Sequence, residues 1–442
     1  MPDNQPQESY PLLGLAYDQI TGDEDARVCK DIPDAACRHQ PRNFFAYLFA
    51  NFLSKVADEL SSARLILPWL LGSLGAPAAF VGFLVPIREA GVLLPQLAVA
   101  AYIRRLPRRK GVWLLGAVLS AIALLCIAAT TVTLNGKSAG WAILAMVTLF
   151  SLSRGLCSVS AKDVLGKTVS KTRRGALMGY SAAAAGVVTL LIGSYVEIFG
   201  GLRLGADFFM AMLLAAAGIW LLAIAAFASI REEAGATEGG GNAITTALRS
   251  LAILKTDQAL RCFVIARALL LSVALAPPFY VLLAQQRSTG VTGLGLMIIA
   301  SGLAASLSAP FWGRMGDRSS RRVMIIASAA AGLTGMLTFL IDIAGGTIIN
   351  SPWIYALLFL LIAVFHGGVR LGRKVYLVDM ANQETRSTYV AVSNTVIGAA
   401  MLAGGAVGML ADHFRTSAVL ALLGLTSMME ELYISRMPDV SG

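Results

Sequence analysis

The chain has 442 residues, 56% hydrophobic and 14% charged, with a mean hydropathy of +0.69 and a formal net charge of +10. Soluble domains carry about 25% charged residues, so this composition excludes an ordinary soluble globule. Apolar runs of about 20 residues recur, each able to cross a hydrocarbon core of roughly 30 Å as a helix, and the ten-residue alternation of a membrane β-barrel is missing.

In chain order, residues 1–41 are polar, with an acidic cluster at Asp23, Glu24 and Asp25 and no apolar core for a signal peptide. They read as a disordered cytoplasmic tail. Twelve spanning helices follow, near 44–72, 77–103, 111–134, 140–163, 175–199, 206–230, 260–286, 291–312, 322–344, 352–378, 387–410 and 416–435. Residues 231–259 form the longest polar break. It opens with EEAGATEGGGN, a flexible linker, and continues with AITTALRSLAILK, an amphipathic surface helix. The expected organisation is a bundle over 42–230, the linker, a bundle over 260–436 and a short tail at 437–442. Trp69, Trp141 and Trp353 near one set of helix ends, and Trp113 and Trp312 near the other, read as interfacial anchors. Cys29, Cys37, Cys126, Cys157 and Cys262 lack CxxC spacing and nearby histidine pairs, so no disulfide framework, zinc site, metal or cofactor is expected.

The basic residues fall in alternate loops. Arg104, Arg105, Arg108, Arg109 and Lys110 fill one; Lys167, Lys171, Arg173 and Arg174 another; Arg314, Arg318, Arg321 and Arg322 a third. The intervening loops hold single cations such as Lys137, Arg203 and Arg287. This pattern argues against a nucleic-acid partner and for the positive-inside rule. It places both termini in the cytoplasm of a cell membrane, the inner one in a Gram-negative cell.

The linker divides six helices from six, and an internal repeat crosses it. AAYIRRLPRR at 100–109 answers GRMGDRSSRR at 313–322, an offset of 213 that sets Arg105, Arg108 and Arg109 on Arg318, Arg321 and Arg322. Arg154 with Asp163 and Arg370 with Asp379 share a nine-residue spacing at an offset of 216. Gly179, Gly186 and Gly193 fall on Ala391, Gly398 and Gly405 at an offset of 212, small residues whose seven-residue period makes a face for close helix packing.

GRMGDRSSRR, with Gly313, Asp317, Arg318, Arg321 and Arg322, resembles the loop signature of the major facilitator superfamily between the second and third helices of each half. With the two halves and the fourth-helix Arg154, the resemblance covers residues 42 to 436. It implies an all-α integral membrane protein of two pseudo-symmetric six-helix bundles that moves a small solute by alternating access, with the first and fourth helices of each half lining the cavity. It also implies that Asp317 faces the start of the fifth helix near Arg174, and that Arg321 or Arg322 pairs with Asp379 and Arg108 or Arg109 with Asp163. The first half departs from the pattern, with Ala100 for the Gly and Arg104 for the Asp. We expect Arg104 to pair instead with Glu384.

SKVADEL, residues 54–60, puts Lys55, Asp58 and Glu59 in the middle of the first span, where each charge costs about 2.5–3.5 kcal/mol on the insertion scale. Lys55 precedes the acids by three and four residues, so one acid is expected to pair with it and the other to be left for proton coupling. Asn51 and Ser62 extend the stripe. Arg88 and Glu89 on the second helix, between Pro86 and Pro95, point in different directions. Arg154, Arg267, His366 and Arg370 complete the cavity candidates, and Pro277 and Pro278 are expected to break the seventh helix.

The leading expectation is therefore a monomeric, proton-coupled antiporter that exports a small organic compound. The runner-up is a proton symporter for an anionic solute such as a carboxylate, suited to the interior cations Lys55, Arg64, Arg88, Arg154, Arg267 and Arg370. A membrane enzyme is disfavoured, because HGG at 366–368 stands without GxSxG or HExxH, and no P-loop supplies ATP drive. A receptor or scaffold on the transporter fold is the third alternative.

Overall fold

The structure, a computed structural model, describes residue 17 and residues 37–199, 205–235, 237, 251–287, 292–345, 350–381 and 385–440. Among these the chain is almost wholly helical, with no strand. Helix α1 runs over Gln40–Leu60 and, after a break, Ile66–Ser73; α2 over Ala78–Leu93 and Gln96–Arg104. They are followed by α3 (Lys110–Thr133), α4 (Gly136–Thr168), α5 (Lys171–Phe199) and α6 (Ala206–Ala228). In the second half α7 comprises Gln258–Leu269, Leu271–Leu275 and Pro277–Arg287, and α8 is Thr292–Gly316. The remainder are α9 (Ser320–Ala344), α10 (Pro352–Met380), α11 (Arg386–Gly404 and Val407–His413) and α12 (Thr416–Ile434).

Eleven of the described helices are long and apolar enough to cross a membrane; the twelfth, α1, is not, because charges and a break interrupt it. Its break satisfies itself locally. Ser61 Oγ donates to Ala57 O at 2.8 Å and Ser62 Oγ accepts from Arg64 N at 3.4 Å, so polar side chains replace part of the lost helical ladder. The interruption of α2 falls at Pro95 and the second of the two in α7 at Pro277, each lacking an N–H for the helix before it, whereas the first in α7 falls at Leu270.

The helix contacts repeat across the halves. In the first, α4 packs on α2 and α3, and α3 on α6; in the second, α10 packs on α8 and α9, and α9 on α12. The halves meet where α2 touches α11 and α5 touches α8, two contacts that exchange when the halves are swapped. The architecture is two pseudo-symmetric six-helix bundles.

The bundles close at the face away from the basic loops and part toward them. On α5, a Cβ added at Gly193 would stand 2.8 Å from Ile299 N, one at Gly186 only 3.8 Å from Ser306 Oγ, and one at Gly179 would meet nothing within 4 Å. The glycine face therefore lets two backbones touch at one end only. On the other seam a Cβ at Gly408 would lie 2.8 Å from Gly82 Cα. The closed face is tied by Gln285 Nε2 donating to Trp69 O at 3.0 Å, and by Asp412, which accepts from Ala78 N at 2.6 Å and Ala79 N at 3.2 Å. None of the ion pairs between described residues joins the two halves.

Two expectations are corrected here. Trp141 and Trp353 are exposed as anchors should be, but Trp69, Trp113 and Trp312 are buried: Trp113 stacks on Phe227 at 3.9 Å and Trp312 donates to Val364 O at 2.9 Å. Their bulk fills helix contacts, which position near a helix end does not reveal. Cys126, Cys157 and Cys262 are free, whereas Cys37 is disulfide-bonded, a pairing its spacing did not signal. Most of the tail and residues 243–250 of the linker lie outside the described residues, although Tyr17 is buried with its ring 5.3 Å from Phe44.

Candidate functional site

A cavity of about 310 Å³ lies where the break of α1 faces α2 and α4, lined by Asp58, Glu59, Arg64, Arg88, Glu89 and Arg154 among others. Asp58 is its hub. Its carboxylate accepts from Arg154 at 2.7 Å and Arg88 at 3.3 Å, and these guanidinium groups sit over the rings of Trp220 and Phe150 at 4.7 and 4.9 Å. The aromatic faces stabilise cations that have left water, by about 0.5–2 kcal/mol each. Glu89 instead accepts from Arg64 at 2.7 Å, so the adjacent Arg88 and Glu89 serve different partners.

Lys55 is a correction. Among the described residues it makes no ion pair, because Asp58 is taken by two arginines reaching across from neighbouring helices. A same-helix pair is worth only about 0.2–0.5 kcal/mol, and the two aromatic-backed guanidinium groups outcompete it. Glu59 is also without an ion pair among the described residues and is open to solvent; the charges acting on it are Asp58, Arg64, Lys55 and Arg370, the last from the opposite half. Asn51 leaves the charged stripe, donating to Ser181 Oγ at 2.6 Å on α5.

From the second half, Arg267 is buried and donates to Ser393 Oγ at 2.6 Å. His366 is buried on α10, with Arg64, Arg370 and Arg373 as the charges around it. Arg373 was not singled out from the sequence, although VRLGRK spaces it one turn from Arg370. Glu430, also overlooked, is fully buried on α12 and accepts from Ser272 Oγ at 2.6 Å.

At the basic-loop face the two halves differ. Arg109 pairs with Asp163, and Lys167 lies 3.2 Å from both Asp163 and Glu232. Glu232, the buried first acid of the linker, accepts from Arg109 N at 2.9 Å and Lys110 N at 2.7 Å and so caps α3. In the second half Arg321 approaches Asp439 at 3.6 Å and donates to Met437 O at 2.6 Å, while Asp379 is exposed and has no ion pair among the described residues. Asp317 is exposed, and Arg174 donates to Val169 O and Gly166 O at 2.9 and 2.8 Å instead of meeting it. Asp317 and Arg174 belong to opposite halves, which are apart on this face; Asp379 and Arg321 share one half, and there Asp439 and Met437 O take Arg321 instead. Arg104, Arg105, Arg108, Arg318 and Arg322 are exposed, and a Cβ at Gly313 would meet nothing within 4 Å. Glu384, the expected partner of Arg104, lies outside the described residues.

A family model described as Major Facilitator Superfamily matches residues 268–430. The match falls within the second half, from α7 to α12, and covers less than half of the chain. A curated relative, the multidrug resistance protein MdtG of Klebsiella pneumoniae (strain 342), is 27% identical over 169 residues, 35% of this chain and 39% of the relative, so the match spans well under half of that protein. Among solved structures, a POT family transporter in complex with a thioalcohol-conjugated peptide superposes with a TM-score of 0.69 at 16% identity, covering 92% of this chain and 98% of the other. The nucleoside transporter NupG gives 0.65 at 12% identity over 89% and 98%, and a D-xylose-proton symporter 0.64 at 16% identity over 90% and 97%. At these identities the structural likeness shows the fold alone. The chain shares the fold of these transporters, and its described helices make it a multi-pass membrane protein.

Proposed function

We propose that the protein is a proton-coupled symporter for a small organic anion. The observation that carries this reading is an excess of positive charge around a cavity whose wall holds one carboxyl without an ion pair among the described residues, Glu59. Asp58, Glu59 and Glu89 on its wall are matched by Arg64, Arg88 and Arg154, and the further charges that act on Glu59 and Glu89 from beyond the wall are all cations: Lys55, and Arg267, Arg370 and Arg373 of the second half. Such a site attracts anions and repels cations.

The sign of coupling follows from electrostatics. Protonating Glu59 removes a negative charge facing the anion, so proton and anion bind cooperatively, and by linkage each favours the other equally. Joint loading is symport. An antiporter needs the reverse, competition between proton and solute.

The division into two bundles at the linker, a monomeric unit, cytoplasmic termini in the cell membrane, and Asp317 with its neighbouring basic residues as the latch of the opposite state belong to the same reading. A second reading, export of an organic compound by proton antiport, is favoured by the partial match to MdtG. Proteoliposomes with an imposed pH gradient separate them. Symport predicts anion accumulation on the alkaline side, lost in Glu59→Gln; accumulation of a solute against the proton flow supports antiport.

A further inference from the structure

Arg64, Arg88 and Arg154, around the cavity in the first half, each have an acid or an aromatic face to hold them; Arg267, Arg370 and Arg373 of the second half have neither among the described residues. Arg370 and Arg373 stand one turn apart on α10, and Arg373 is a charge that acts on Arg267 of α7. Arg267 spends one nitrogen on Ser393, is 9% exposed and leaves its buried Nε without a partner. None of the three lies within ion-pair distance of a carboxylate among the described residues. The acid whose charge reaches all three is Glu89, across the cavity, and it is already bonded to Arg64 at 2.7 Å.

Unpaired cations within a membrane protein are expensive and face a water-filled cavity or a ligand. Planar guanidinium groups match carboxylate and phosphate oxygens two at a time. One monoanion would leave most of this charge uncompensated.

We propose that Arg267, Arg370 and Arg373 form the anion-binding site, and that the solute carries two negative charges, as two carboxylates or one phosphate monoester. The inference rests on the symport reading and assigns its parts: the proton to Glu59 in the first half, the anion to arginines in the second. The solute's charge is then the attraction that draws the halves together around it.

The test is thermal-shift titration of the purified full-length protein in nanodiscs with butyrate, succinate, glycerol 3-phosphate and tetramethylammonium. One of the dianions is expected to bind at least about tenfold more tightly than butyrate, the scale of one charge-assisted contact. Succinate or glycerol 3-phosphate as the tighter ligand then tells carboxylates from phosphate. Arg373→Gln is expected to bring the dianion down to the butyrate level, and Arg373→Lys to restore it in part; Arg370→Gln serves if the first variant fails to fold. Equal binding of butyrate and both dianions, or a folded glutamine variant with an unchanged ratio, overturns the two-charge site and leaves anion symport standing. Binding of tetramethylammonium with no response to any anion overturns both.

Discussion

Replacing Asp412 by alanine should open the closed face. Its carboxylate on α11 accepts the first two N–H groups of α2 in the opposite half, at 2.6 and 3.2 Å, so these bonds exist only while that face is shut. A hydrogen bond to a charged group contributes about 1.5–3 kcal/mol and a charge at a helix N-terminus about 0.3–1 kcal/mol. Asp412 is exposed, and water takes up the same groups once the halves separate. The lower end applies, about 2 kcal/mol in all. That shifts the closed-to-open ratio about 30-fold, while the Gln285 bond to Trp69 O and the Gly82–Gly408 contact still favour closure. Spin labels at Ser73 and His413, read as distance distributions in nanodiscs, should show a longer population in Asp412→Ala. An unchanged distribution in a protein of unchanged melting temperature would refute the reasoning.

Asp58→Asn should lower the unfolding free energy by about 2–3 kcal/mol, less than the 3–5 typical of a broken buried pair because the cavity admits water; Glu59→Gln, which breaks no ion pair, should stay within about 0.5 kcal/mol in the same thermal denaturation yet lose proton-driven transport. Glu232→Ala should cost about 3 kcal/mol, since it uncaps α3 and strips Lys167 of one partner, and hydrogen exchange at the Arg109 and Lys110 amides should speed up. Burial alone would raise the Asp257 carboxyl, but hydrogen bonds from Leu260 N, the Tyr389 hydroxyl and Ala259 N outweigh it and hold it below its usual range. Its stabilisation is therefore fully present above about pH 4 and fades as pH falls below that. The melting-temperature gap between the protein and Asp257→Asn should narrow over the same interval; a gap that stayed constant would count against this account.

Hydropathy, the alternate basic loops and the repeated offsets made the membrane class and the two-bundle fold legible, because they depend on what single segments must do in lipid. The charged stripe of α1 was legible for the same reason: ionisable residues in a span stand out against the cost of burying them. Partner choice was not. Lys55 had both acids within reach along its own helix, yet Asp58 went to Arg88 and Arg154, whose chain separations of 30 and 96 residues give no local signal. Arg373 and Asp412 were passed over because their roles depend on the opposite half. Which face is closed, which carboxyl is unpaired and which arginines lack an acid are properties of two bundles brought together, and charge interactions are decided by distances that only the tertiary packing sets.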